Sequence, residues 1–200
     1  MAASAITICN FALTKCGQDR IAALSDNNAR ARAVNSCYDQ LRQQELETYP
    51  WSFALKRVAL AQAADAPAFG YTYAYDLPAD FLRLAVWDRN IWGQPPDVVQ
   101  EGRQLLANMT SLAIRYVRDV ENANEMSPLF RAALGYAIAM HVVEELTQSK
   151  GLNQLLSKGY DQTIARARQV NAIQKRPVEP QVDDFIAARD DGMDPTQYHF

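Results

Sequence analysis

The sequence predicts a mainly α-helical protein with a β insert. It has a four-helix body (two helices, a small antiparallel β subdomain, then two long helices) and an extended C-terminal arm. Three observations carry this expectation. Residues 126–176 follow helical periodicity with a single break. Residues 51–120 change character, to short alternating runs divided by turn formers. The last stretch, 177–200, is acidic and poor in apolar residues. A length of 200 residues suits one domain, and a hydrophobic content of 48% suffices for a buried core.

The first helix is expected over 4–16. Ser4 can cap it, Ile8, Cys9, Ala12, Leu13 and Cys16 share one face, and Gly17 is a fitting stop. A polar linker, 18–28, leads to a second helix capped by Asp26 or Asn27 and running to about Thr48. Its apolar face is Ala33, Val34, Cys37 and Leu41; Arg30, Arg32, Asp39, Arg42, Gln43 and Glu45 make the polar one. Tyr49-Pro50 ends it, because a residue before proline is pushed out of the helical region.

In the middle, Trp51, Phe53 and Leu55 alternate and predict a strand whose phase slips at Lys56-Arg57. A small-residue loop, 61–68, precedes the alternation of Tyr71, Tyr73 and Tyr75 before Asp76-Leu77-Pro78. Residues 81–87 are strand-like, and Asn90 and Gly93-Gln94-Pro95-Pro96 are turns. Val98-Val99, Leu105-Leu106 and 113–120 complete a set of short strands, with a turn at Glu101-Gly102. The aromatics Trp51, Phe53, Tyr71, Tyr73, Tyr75, Trp87 and Trp92 read as the core of this insert, with Trp92, beside its turn, open to an interface role. No Gly-Ser or Pro-rich linker sets the insert apart. The organisation is therefore 1–50 and 121–176 for the helical body, 51–120 for the insert and 177–200 for the arm.

Ser127-Pro128 opens the third helix, since proline loses nothing in a first turn. Leu134, Ala137, Ile138, His141 and Val142 lie on one face. After a break at Lys150-Gly151, Leu152, Leu155, Leu156, Tyr160, Ile164, Ala167 and Val170 repeat the pattern, so the two helices form an antiparallel hairpin. Beyond Arg176 come Pro177, Pro180, Gly192 and Pro195, and six acids against one base, Arg189. Alone, this tail buries too little to fold. Its scattered apolar residues suit either a docking arm or a frayed terminus.

Composition excludes several classes. A net charge of −3 provides no field for nucleic acid or a membrane surface. Three cysteines, odd in number and set in helices, fit buried thiols in a reducing compartment. The start has no basic n-region, no run approaches the roughly 18 apolar residues of a membrane span, and Asn108-Met109-Thr110 matches a glycosylation sequon by chance.

His141 and Glu145 share a helical face, as metal ligands could, but a catalytic zinc takes three protein ligands and the only other histidine is His199. His141 therefore reads as a packing residue. Glu101, Glu144 and Glu145 could supply a glycan hydrolase with carboxylates. Glu144 and Glu145, however, point about 100° apart on a helix and read as solvated charges. No glycine pattern cradles a nucleotide. Arg103, Arg115, Arg118, Arg166, Arg168, Lys175 and Arg176 leave a DNA-binding helical protein as a further alternative, although such residues usually face solvent. No catalytic residue, cofactor or metal is expected, and the residues read as a binding or structural module, not an enzyme.

Three stretches together resemble the tail tubular protein A family, the head–tail adaptor (connector) proteins of short-tailed bacteriophages. Residues 49–60 carry W-x-F-A-x-x-R-x-x-L from Trp51 to Leu60. Residues 75–84 carry Y-x-L-P-x-D-x-L-R from Tyr75 to Arg83. Glu101-Gly102 and Phe130-Arg131-Ala132-Ala133-Leu134 carry E-G and F-x-x-A-L, and between them Leu112 to Tyr116 is similar to the family's L-x-Y, with Ile114 at the leucine position. Order and spacing agree over nearly the whole chain. The resemblance implies a virion protein of the head–tail junction, made in the host cytoplasm. It forms a ring, generally of twelve copies, beneath the portal protein. Copies pack through their helical bodies, extend the DNA channel without recognising sequence, and receive a downstream tail or nozzle protein. The family's C-terminal arm docks on the portal, which makes 177–200 the docking arm here. Residue chemistry selects Phe185, Ile186, Tyr198 and Phe200 as its anchors.

Overall fold

The computed structural model describes residues 3–85, 97–147 and 149–174. They form helices α1 (Ala5–Lys15), α2 (Ala29–Thr48), α3 (Pro128–Thr147) and α4 (Lys150–Ile173). Strands β1 (Leu55–Ala59), β2 (Tyr73–Asp76), β3 (Phe81–Leu84), β4 (Val98–Glu101), β5 (Gln104–Ala107) and β6 (Ala113–Arg118) lie between α2 and α3. The architecture is thus helices combined with small antiparallel sheets, as the sequence predicts.

Local chemistry explains the helix ends. Ser4 and Thr7 cap α1 reciprocally, each side-chain oxygen accepting the other's backbone N–H. Gly17, at φ +71°, ends it in a Schellman turn: its N–H donates to Thr14 O (3.1 Å) and the N–H of Gln18 donates to Leu13 O (2.9 Å). Asn28 caps α2, its Oδ1 accepting from Ala31 N at 2.8 Å. This corrects the expected cap at Asp26 or Asn27. The Asp26 carboxylate is spent on the N–H groups of Ala22 and Ala23, which turn the preceding loop. Ser127 Oγ accepts from Phe130 N at 3.2 Å, with Pro128 as the first residue of α3.

α3 is the central helix and packs against α1, α2 and α4. Tyr136 meets Gly159 and Glu144 meets Asn153, so partners step backwards along α4 as they advance along α3. That is the predicted antiparallel hairpin. Its break lies earlier than expected: Lys150 and Gly151 already belong to α4. Two glycines let aromatic rings close the bundle. A Cβ on Gly135 would stand 2.5 Å from the Phe11 ring, and one on Gly159 would stand 2.7 Å from the Tyr136 ring. Those two rings meet edge-on at 5.3 Å.

The strands form two antiparallel three-stranded sheets, ordered β1-β6-β3 and β2-β5-β4. β1 pairs with β6 from Leu55↔Val117 to Ala59↔Ala113, and β4 and β5 turn tightly through Gly102, at φ +56°. β6 serves two cores. Ile114 and Tyr116 join Tyr75, Leu77, Phe81, Leu105, Ala107 and Leu112 between the sheets. Val117 and, just beyond the strand, Val120 join the helical core.

Three expectations fail here. The alternation of Trp51, Phe53 and Leu55 is not a strand at its start, because Ser52–Ala54 is a 3₁₀ turn and β1 begins at Leu55. Trp51 belongs to the helical core, not the insert's, with Phe53 packed against that core. Burial of the indole decides this, together with its N–H donating to Glu45 O at 3.0 Å. His141 is exposed rather than packed, since cover over that side of α3 stops before its last turns and only Val142 and Val143 stay buried there.

Candidate functional site

The residues that carry the family resemblance are one another's partners. Trp51 and Phe53 of the first stretch both meet Phe130 of the third edge-on, with centroids 5.1 and 5.2 Å away. Asp80 of the second stretch accepts from the Tyr116 hydroxyl at 2.7 Å and from the Lys56 ammonium at 3.0 Å. Its backbone carbonyl accepts from Asp119 N at 2.7 Å. The Arg103 guanidinium donates to Pro78 O, while Leu77 N donates back to Arg103 O at 2.9 Å. The three stretches thus close on one another where the helical core meets β6. Burial opposes the charge on Asp80, but Tyr116 and Lys56 together outweigh it and hold the carboxyl below its ordinary range. With donors on both carboxylate oxygens, Asp80 is a structural tie between β1, β3 and β6.

Sequence periodicity missed a second polar cluster. Arg42 and Glu45, placed on the polar face of α2, are buried at 2% and 6% exposure. Arg42 donates to the Asp119 carboxylate, to Val120 O at 3.0 Å and to Asp39 at 3.2 Å. The Tyr160 hydroxyl sits 2.7 and 2.9 Å from the two oxygens of Glu45 and donates to that carboxylate. Burial pushes the Glu45 carboxyl up, against the opposing pull of Tyr160 and Arg168. Nearby, Asn171 Oδ1 accepts from the N–H and the hydroxyl of Ser52, both at 2.8 Å. α4 is therefore tied to α2 and the 3₁₀ turn by polar side chains as well as by its buried apolar ones. Their partners lie far off in sequence, at positions 119, 160 and 171, where no helical pattern points to them.

The candidate catalytic groups do not assemble into a site. His141, Glu144 and Glu145 are all exposed on α3, with Glu144 accepting from Asn153 at 3.4 Å. Glu101 is exposed on β4, an edge strand of the second sheet. The thiols of Cys9, Cys16 and Cys37 are buried and unbridged. Burial pushes Cys9 up to about 12 and Cys37 up to about 11, which keeps both protonated and poorly nucleophilic at neutral pH. Among the described residues no group of three or more His, Cys, Asp or Glu could hold a metal ion, and no helix is long and apolar enough to cross a membrane.

The basic residues are dispersed. Arg118 pairs with Glu125, Arg103 serves a carbonyl, and the Arg168 guanidinium lies 5.6 Å from the centre of the Tyr49 ring. Arg115 is half-buried on β6, opposite Arg57 of β1. Lys158 and Arg166 are exposed on α4. Lys175, Arg176, the anchors Phe185, Ile186, Tyr198 and Phe200, and Trp87 and Trp92 lie outside the described residues.

What the surface does offer is exposed apolar side chains. Leu155, Val170 and Ile173 are exposed on α4, and Phe69 is 87% exposed in the loop between β1 and β2. Periodicity puts Leu155 and Val170 on the packed face of α4; both point outward because the buried face is formed by Leu156, Ile164, Ala167 and Asn171. Compared with known proteins, the chain matches no family model and no curated protein.

Proposed function

We propose that this chain is a head–tail adaptor of a short-tailed bacteriophage. In this reading it forms a ring of about twelve copies beneath the portal, a form of closed assembly built from one repeated head-to-tail contact. The ring extends the DNA channel and receives the tail or nozzle protein below. The arm, 177–200, docks on the portal through Phe185, Ile186, Tyr198 and Phe200.

One observation carries the proposal. Three stretches that resemble the adaptor family in order and spacing also form one interlocked junction, from Trp51 and Phe53 through Asp80 and Tyr116 to Phe130. Residues that must fit one another are what a shared fold keeps together. The exposed apolar side chains of α4 suit contacts between neighbouring copies. Mixing the full chain with the portal protein of the same phage, then following both by sedimentation, tests the reading. Co-sedimentation in a fixed ratio supports it, and separate sedimentation at all concentrations removes it.

A further inference from the structure

Among the described residues, nothing covers one side of α4. Leu156, Ile164, Ala167 and Asn171 are buried against the body, while Leu155 and Ile173 are 65% and 83% exposed. From Leu155 through Gln162, Arg166 and Val170 to Ile173 the steps are seven, four, four and three residues, which is one line along a helix. A single exposed leucine is ordinary, but an apolar residue at each end of one line is a place for something to lie. The line is also basic. Lys158 and Arg166 are exposed, and neither has an ion pair among the described residues.

We propose that this face is the seat of the chain's own C-terminal arm, which runs back along α4 in the opposite direction. Charge selects this occupant: the arm carries six acids against one base, while the exposed charges among the described side chains of α4 are Lys158, Arg166 and Arg168 against Asp161. Length and order agree as well. From Gln174 back to Leu155 is about 28 Å at 1.5 Å per residue, and an extended segment covers that in about nine residues. With the reversal at Pro177, Val178 falls beside Ile173, and Asp183 and Asp184 fall between Arg166 and Lys158. Phe185 and Ile186 then fall beside Leu155. Apolar and acidic residues of the arm thus meet apolar and basic residues of the helix in matching order. While the arm lies there, it covers the open side of α4 and withdraws Phe185 and Ile186, so a partner needing either surface must displace it.

The inference concerns the chain alone and does not depend on the adaptor reading; failure to bind a portal would leave it untouched. Hydrogen exchange on the full chain at low salt tests it. The amides of 178–187 exchange about tenfold more slowly in the native chain than in a Leu155→Gln, Ile173→Gln variant, the factor that corresponds to about 1.4 kcal/mol of docking. Both substituted side chains are exposed, so the helical signal of the variant stays unchanged. Arg166→Glu speeds exchange in the same segment, as does about 0.5 M salt, which screens surface charge. Three results would overturn the proposal. One is equal and fast exchange in the native chain and the variant. Another is protection that survives both substitutions, which would seat the arm elsewhere. The third is protection that grows with protein concentration, which would assign the face to a second copy.

Discussion

The rings of Trp51 and Phe130 meet edge-on, with centroids 5.1 Å apart and planes at 70°. Both side chains are fully buried, and Phe53, stacked beside Trp51 at 6.1 Å, completes the cluster against Phe130. This contact fastens the chain leaving α2 to the first turn of α3, and so fixes the β part onto the helices. Replacing Phe130 with alanine removes a core ring and its partners' contacts, at a cost of about 3–5 kcal/mol. Urea unfolding followed by circular dichroism should show a lower midpoint, with the near-ultraviolet signal of Trp51 changed as well.

Asp80 and Glu45 respond to acid in opposite senses. The Asp80 carboxyl is held below its ordinary range by Tyr116 and Lys56, which outweigh the burial that opposes its charge. Its contribution is therefore present above the unfolded-state value near 3.9 and is lost as pH falls through the lower folded value. Asp80→Asn loses about 1 kcal/mol at neutral pH and is less sensitive to acid in that window. Glu45, with its carboxyl pushed up by burial, penalises the folded state as pH rises through its folded value. Glu45→Gln, which keeps an acceptor for Tyr160, should gain on the native chain at neutral pH, and the gap should close below about pH 4. Thermal melts from pH 3 to 8 distinguish the two behaviours.

Gly159 and Tyr136 are coupled. Alanine at Gly159 puts its Cβ 2.7 Å from the Tyr136 ring, so the ring must move. The clash costs about 1–3 kcal/mol, partly offset by about 1 kcal/mol of helix propensity. In a background of Tyr136→Ala the clash is gone and Gly159→Ala becomes neutral or stabilising. A double-mutant cycle on unfolding free energies measures the coupling.

Arg57 and Arg115 face each other across β1 and β6. Like charges directly opposite in a sheet repel, and an opposite pair there contributes about 0.2–1 kcal/mol. Arg57→Glu should therefore raise stability by that amount at low salt and by less at high salt, as chemical denaturation at the two ionic strengths would reveal.

Much of the architecture was legible in the sequence. Ser4, Gly17, Ser127 and Pro128 marked helix ends because capping and proline chemistry are local. Apolar repeats marked the helices, and the turn at Glu101-Gly102 marked a hairpin. What escaped depended on partners distant in the chain. The Trp51-Phe53-Leu55 alternation looked like a strand until Glu45 and Phe130 took up the aromatic residues. Arg42 and Glu45 looked solvated until Asp119 and Tyr160 came to them. His141 kept step with Leu134 and Ile138, but periodicity cannot tell where along a helix its cover ends. The predicted anchors of the arm, Phe185, Ile186, Tyr198 and Phe200, fall outside the described residues.

The adaptor reading meets its most direct test in the mass of the complex formed when the full 22.4 kDa chain is mixed with portal rings from the same phage. An adaptor makes the portal rings heavier by a fixed whole number of copies, and a chain ending at Arg176 adds no mass. Portal rings whose mass is unchanged by the full chain would contradict it.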